Sequence, residues 1–230
     1  MQDCKASCFT MGAVTGAVTI VILMALGFIP EQVDIFGISF PVSRPTIMSS
    51  SVVSPSYEQK IESAKKIGPL WGPVSGELVS KENGYLEKYV ADVKVRDFVS
   101  EVVFYVPDAP KWDMGILLRE DGDSFYAVSL RSDGTWEAWM RSGEDSKQDQ
   151  NLNTGTLGWL NVQRGARIQV SLWCKGSILH FFVNKQYVAT INVSDIQNRG
   201  AVSVAIDIYQ GYEDDGRTVS FEDFAIWASP

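Results

Sequence analysis

Histidine and cysteine are scarce in this sequence. One histidine, His180, and three cysteines, Cys4, Cys8 and Cys174, are spread over 230 residues. A single histidine excludes zinc sites built on histidine pairs, and Cys4 and Cys8 are too sparse for a zinc site of their own. No C-x-x-C-H run offers a haem attachment, and Cys174 has no neighbour with which to form a disulfide frame. No glycine-rich phosphate loop or nucleophile elbow appears. No cofactor is therefore expected. Basic residues are also in deficit, with 20 Lys and Arg against 28 Asp and Glu, a net charge of -8. Such a chain repels phosphate backbones, so nucleic acid is not an expected partner.

What is present is a globular composition, 45% hydrophobic and 21% charged, at a length suited to one good-sized domain plus an anchor. No charged residue falls between residues 6 and 30. Within that stretch, residues 9–29 are mostly apolar and would span about 31 Å as a helix, the thickness of a bilayer core. A cleavable signal peptide is the alternative. It calls for a basic leader and a small-residue cleavage site, whereas this run ends Leu26-Gly27-Phe28-Ile29-Pro30. An uncleaved transmembrane helix is expected. Lys5 precedes it, and Glu31 and Asp34 follow it. The positive-inside rule then puts residues 1–8 in the cytoplasm and the rest in the periplasm or outside the cell. Gly12 and Gly16 form a GxxxG on which another helix could pack closely, although small residues are common in membrane helices. Residues 30–75 read as a linker or strap. It carries Pro41, Pro45, Pro55, Pro69 and Pro73, and one short helix near 56–66 begun by Ser56 and Gln59 at capping-box spacing.

From residue 76 strand patterns repeat, at 77–80, 86–95, 99–106, 114–119, 125–131, 135–141, 167–173, 178–184, 187–192, 201–209 and 218–227. Asp121-Gly122, Asp133-Gly134, Lys175-Gly176 and Asn184-Lys185 separate consecutive strands as turns, with a two-residue turn expected at Asp133-Gly134. Short strands without a long helix mean an all-β sandwich over 76–228. One beat of the alternation is apolar: Met114, Ile116 and Leu118, then Tyr126, Val128 and Leu130, then Trp136, Ala138 and Met140. The other beat holds Arg119, Arg131, Trp139, Trp173, Asp207 and Tyr209. If these strands share a sheet, that face mixes aromatics with hydrogen-bonding groups. It then suits a sugar ring or a protein partner, the alternative being a second core layer or a plain solvated face.

The runs "DMGILLRE", "DSFYAVSLRSDGTWEAW", "ARIQVSLWCKGSILHFFVNKQYVATI" and "VSFEDFAIW" resemble the concanavalin A-like lectin/glucanase jelly roll, in its laminin-G-like form. The resemblance covers roughly residues 76–227 and implies the fold, a jelly-roll β-sandwich of two antiparallel sheets. The glucanase branch carries its carboxylates as E-x-D-x-x-E on one strand. No such run exists here, and the adjacent Glu222 and Asp223 point to opposite faces, so no enzyme is expected. The family often holds calcium at loop ends. Asp121 and Asp123 in one acidic turn, and Asp214 and Asp215 in another, are weak candidates beside the plainer reading of solvated turns. For His180, between Leu179 and Phe181, a packed strand position is expected.

Two functions follow. The first is a non-catalytic accessory subunit of a larger bacterial membrane complex, of the electron-transfer or photosynthetic kind. In it a helix, a strap and a contact face run along neighbouring subunits. The second is a carbohydrate-binding module at the cell surface.

Overall fold

The computed structural model describes residues 32–35, 38–41, 54–79, 87–143, 149–207 and 218–230. The chain forms two compact units, Met1–Val52 and Val53–Pro230. In the first, β1 (Gln32–Ile35) and β2 (Ile38–Pro41) pair as an antiparallel hairpin, Gln32 opposite Pro41. The expected linker thus includes two paired strands. Its sequence is rich in β-branched and aromatic residues, which favour extended pairing. The expected cytoplasmic segment 1–8, the membrane helix 9–29 and its Gly12 and Gly16 lie outside the described residues. Among those described, no helix is long and apolar enough to cross a membrane.

The second unit is an all-β, jelly-roll-like sandwich of two antiparallel sheets. In chain order its strands are β3 (Trp71–Val79), β4 (Glu87–Val90), β5 (Phe98–Tyr105), β6 (Asp113–Asp121), β7 (Ser124–Arg131), β8 (Thr135–Arg141), β9 (Gln150–Thr156), β10 (Arg167–Lys175), β11 (Ile178–Val183), β12 (Gln186–Asn192), β13 (Ala201–Asp207) and β14 (Thr218–Ala228). The front sheet runs β4-β13-β6-β7-β8-β9, and the back sheet runs β12-β11-β10-β5-β14-β3. Alternation explains the core. Met114, Ile116, Tyr126, Val128, Trp136 and Val204 point inward from the front sheet, and meet Phe104, Ile168, Val170 and Phe181 of the back sheet in one buried cluster.

Besides β3, which begins at Trp71 inside the expected linker, three features depart from the sequence reading. β9, with the sequence QNLNTGT, was not expected, because Asn and Gly are poor strand formers. It is an edge strand held by backbone pairing to β8, and Leu152 is the residue it packs against the core. The loop after β7 has three residues, not two. Gly134 N–H donates to Arg131 O at 2.9 Å and Gly134 sits at φ +78°, so a tight turn is followed by a left-handed glycine. The two-residue turn with both residues left-handed is instead Asn184-Lys185, at φ +48° and +67°.

The third departure is the strap. Residues 57–65 belong to the sandwich unit. A π-helical stretch, Glu58–Glu62, runs into a helical turn, Ser63–Lys65. Tyr57, Ile61 and Ala64 lie on one face at helical spacing, and bury against Val99, Trp173, Phe182, Ala225 and Trp227 on the outside of the back sheet. The expected capping box does not form, since Ser56 Oγ donates to Glu58 Oε2 at 2.8 Å. A polar latch lies beside the apolar contact. Glu101 of β5 accepts from Lys65 Nζ at 2.5 Å, Tyr57 Oη at 2.5 Å and Ser171 Oγ at 2.8 Å. Burial raises the Glu101 pKa, but these donors outweigh it and hold the carboxyl below its ordinary value.

Candidate functional site

The outer face of the front sheet carries the site. The outward beat of β6, β7 and β8 presents Asp113, Ser129, Arg131, Glu137, Trp139 and Arg141 around a groove of about 660 Å³. The floor is small: Gly115, Ala127 and Ala205 lie beneath it. The missed strand β9 supplies the far wall, with Asn151 opposite Trp139.

Trp139 is the half-buried aromatic of this groove. Its ring meets Phe125 edge-on at 5.2 Å, and the Arg141 guanidinium lies 5.4 Å from the centre of each ring. Asp149 in turn fixes Arg141 by a two-point contact, Nε to Oδ1 at 2.8 Å and Nη2 to Oδ2 at 2.7 Å. That hydrogen-bonded carboxylate raises the arginine pKa further above its already high value. The fork and the stacking hold the indole in one orientation. Arg131 lies between two carboxylates, with Nε 3.7 Å from Asp113 Oδ2 and Nη2 against Glu137 Oε1. Ser129 Oγ donates to Asp113 Oδ2 at 3.1 Å. Among the described residues, the groove is thus walled by paired polar groups around one aromatic plate.

The single face expected from the second beat does not exist. Arg131 and Trp139 are on the front face, whereas Trp173 is on β10, in the back sheet. Trp173 stacks on His180 at 4.9 Å, lies under Lys60 Nζ at 3.8 Å, and is only 7% exposed beneath the strap. It is core to the strap contact, not a free contact residue. His180 is packed there too. Its Nδ1 meets Thr190 Oγ1 at 2.9 Å, and burial, with the nearby Lys60 charge, lowers its pKa.

Arg119 is also corrected. Strict alternation puts it outward, yet it is fully buried. A β-bulge between Leu118 and Asp121 breaks the alternation, and Arg119 takes φ +53°. The side chain turns into the end of the sandwich. It donates to the carbonyls of Arg96 at 3.2 Å, Val193 at 2.9 Å, Ile196 at 2.8 Å and Gly176 at 2.5 Å, with Asp97 Oδ1 at 3.8 Å. Gly200 leaves the room, since a Cβ there would lie 2.3 Å from the Arg119 carbonyl carbon. The outward beat was visible in sequence; the bulge that removes Arg119 from it has no sequence signal beyond this glycine.

Asp207 ends β13 opposite Asp113. Tyr209, Asp214 and Asp215 lie outside the described residues. Asp121 and Asp123 are exposed at the β6–β7 turn, with Lys94 Nζ 3.8 Å from Asp121, and the described residues contain no cluster fit to hold a metal. Sequence reasoning missed Asp113, Asp149 and Asn151. Asp113 shares the outward beat with Gly115 and could have been counted in, but the other two depend on β9.

No family model matches the chain, and no curated protein does. Solved structures do. The sandwich is similar to a carbohydrate-binding module, CBM66, from Bacillus subtilis, at 9% identity and a TM-score of 0.52, over 70% of this chain and 93% of that one. It is also similar to a kappa-carrageenase from Zobellia galactanivorans, at 11% identity and a TM-score of 0.51, over 68% of this chain and 79% of that one. At such identities the likeness shows the fold alone, a jelly-roll-like sandwich of two antiparallel sheets.

Proposed function

We propose that the front face around Trp139 binds carbohydrate, and that the unit is a binding module displayed from a membrane by residues 9–29. The observation that carries this is the half-buried Trp139 indole, fixed by Phe125 and Arg141 within a ring of hydrogen-bonding side chains. An indole offers an apolar plate to the C–H face of a sugar, and the surrounding groups take its hydroxyls. The fold is shared with a carbohydrate-binding module, which supports the same reading. The accessory-subunit reading drew on the helix, the strap and a contact face including Arg119, Trp139 and Trp173; of these, the bulge and the second sheet divide the face.

Binding rather than cleavage fits the groove. Glycoside hydrolysis asks two carboxyl groups to flank one bond, one of them delivering a proton. Here Asp113 and Glu137 are bridged by the same guanidinium. The test is a glycan panel on the full chain in mild detergent, comparing wild type with Trp139→Ala. Binding that vanishes in a folded Trp139→Ala protein supports the reading. No binding to any glycan, or binding indifferent to Trp139, overturns it. Release of new reducing ends would overturn the non-catalytic part alone.

A further inference from the structure

We propose that the groove accepts a neutral polysaccharide chain lying across the strands, and discriminates against sulfated and uronate polymers. This rests on the carbohydrate reading above and adds the chemical class of the ligand.

The extent of the groove comes first. Its lining runs from Ala205 on β13, across β6, β7 and β8, to Asn151 on β9. Four strand spacings of about 4.8 Å make ~19 Å. That length suits several linked sugars rather than one.

The charges decide the class. The described lining holds Asp113, Glu137 and Asp149 against Arg131 and Arg141, so carboxylates outnumber guanidiniums. Anionic sugars are recognised by forked contacts from arginine to sulfate or carboxylate. Both guanidiniums already have carboxylate partners. Arg141 is bidentate with Asp149, and Arg131 lies between Asp113 and Glu137. An anionic ligand taking either arginine must displace a carboxylate and leave it uncompensated beside the new negative charge. That is the repulsive element a site uses to reject a class of ligand. Neutral hydroxyls meet no such cost. They donate to the remaining lone pairs of the same carboxylates and accept from Asn151, while a ring face covers Trp139. The chain as a whole, at -8, adds long-range repulsion of polyanions.

The experiment is affinity electrophoresis of the full chain in mild detergent, through gels holding a neutral β-glucan, a neutral mannan, a neutral fructan, kappa-carrageenan or polygalacturonate. The expected result is retardation by at least one neutral polymer, unaffected by added salt and weakened about tenfold or more by Trp139→Ala, with the two anionic polymers at least about tenfold weaker. Glu137→Gln and Asp149→Asn each release an arginine and should strengthen binding of the anionic polymers several-fold. Retardation by an anionic polymer with equal or greater strength, lost in Trp139→Ala, overturns the neutral assignment while leaving the carbohydrate reading in place. Retardation by none of the five overturns both.

Discussion

At the scale of single residues, Arg119 shows how one backbone irregularity changes a role. Its charge is buried completely, and what makes that tolerable is four carbonyl acceptors with Asp97 nearby. These acceptors belong to three separate connections, so the side chain ties one end of the sandwich together. Arg119→Ala should leave them unsatisfied in a dry pocket and cost about 3 kcal/mol or more of stability, read as a lower midpoint in urea. An unchanged midpoint would mean that water or a neighbouring side chain replaces the guanidinium. By contrast, Trp139→Ala removes a half-exposed ring from the outer face and should leave stability nearly unchanged, within about 1 kcal/mol. Cys174 lies close to the Arg119 cluster but is buried, and burial pushes its thiol up to about 11. It should resist alkylation in the native protein.

At the scale of elements, alternation and turn chemistry were legible where the pattern is regular. β6, β7, β8 and β10 could be read directly, because apolar residues recur every second place and glycine-bearing turns divide consecutive strands. Three things were not legible. β9 has little apolar content and forms by pairing with its neighbour. The bulge in β6 is set by tertiary fit around Gly200. The assignment of β8 and β10 to different sheets is topological, and so the two tryptophans that look equivalent in sequence lie on opposite outer surfaces. The strap also carries a local signal, Tyr57, Ile61 and Ala64 at helical spacing, yet nothing local says which surface it covers. Ile61→Ala should loosen it, costing about 2–4 kcal/mol and speeding proteolysis between residues 57 and 66. Equal proteolysis rates would show that the Glu101 latch alone holds the strap. At the β11–β12 turn, Lys185 adopts a left-handed conformation that glycine tolerates better. Lys185→Gly should therefore raise stability by a few tenths of a kcal/mol up to about 1, despite the added freedom of the unfolded chain. A fall in melting temperature would show that unfolded-state entropy wins.

At the scale of the whole molecule, two of its polar anchor points share a response to acid. Glu101 pins the strap and Asp97 braces the Arg119 end. Both carboxyls are held below their ordinary values, Glu101 by Lys65, Tyr57 and Ser171 against the opposing effect of burial, and Asp97 chiefly by Arg96. A carboxyl with a depressed folded pKa binds its proton more weakly in the folded state than in the unfolded chain. Its stabilising contribution is then complete above the unfolded value, 4.5 for Glu101 and 3.8 for Asp97, and drains away as the pH falls through the folded value. His180 acts earlier on the same descent. Burial lowers its pKa from 6.5, so the unfolded chain takes up a proton first and stability begins to fall as the pH drops below that value. The melting temperature of the full chain in detergent should thus change little between pH 9 and 7, decline gently below about 6.5, and fall more steeply below about 4.5. Glu101→Gln separates the contributions. It keeps an acceptor for Tyr57 and Ser171 but gives up the charge facing Lys65. It should lower stability at pH 7 and flatten the steep limb, while leaving the gentle decline assigned to His180 in place. A Glu101→Gln curve parallel to wild type from pH 7 to 3 would show that the latch does not govern the acid response.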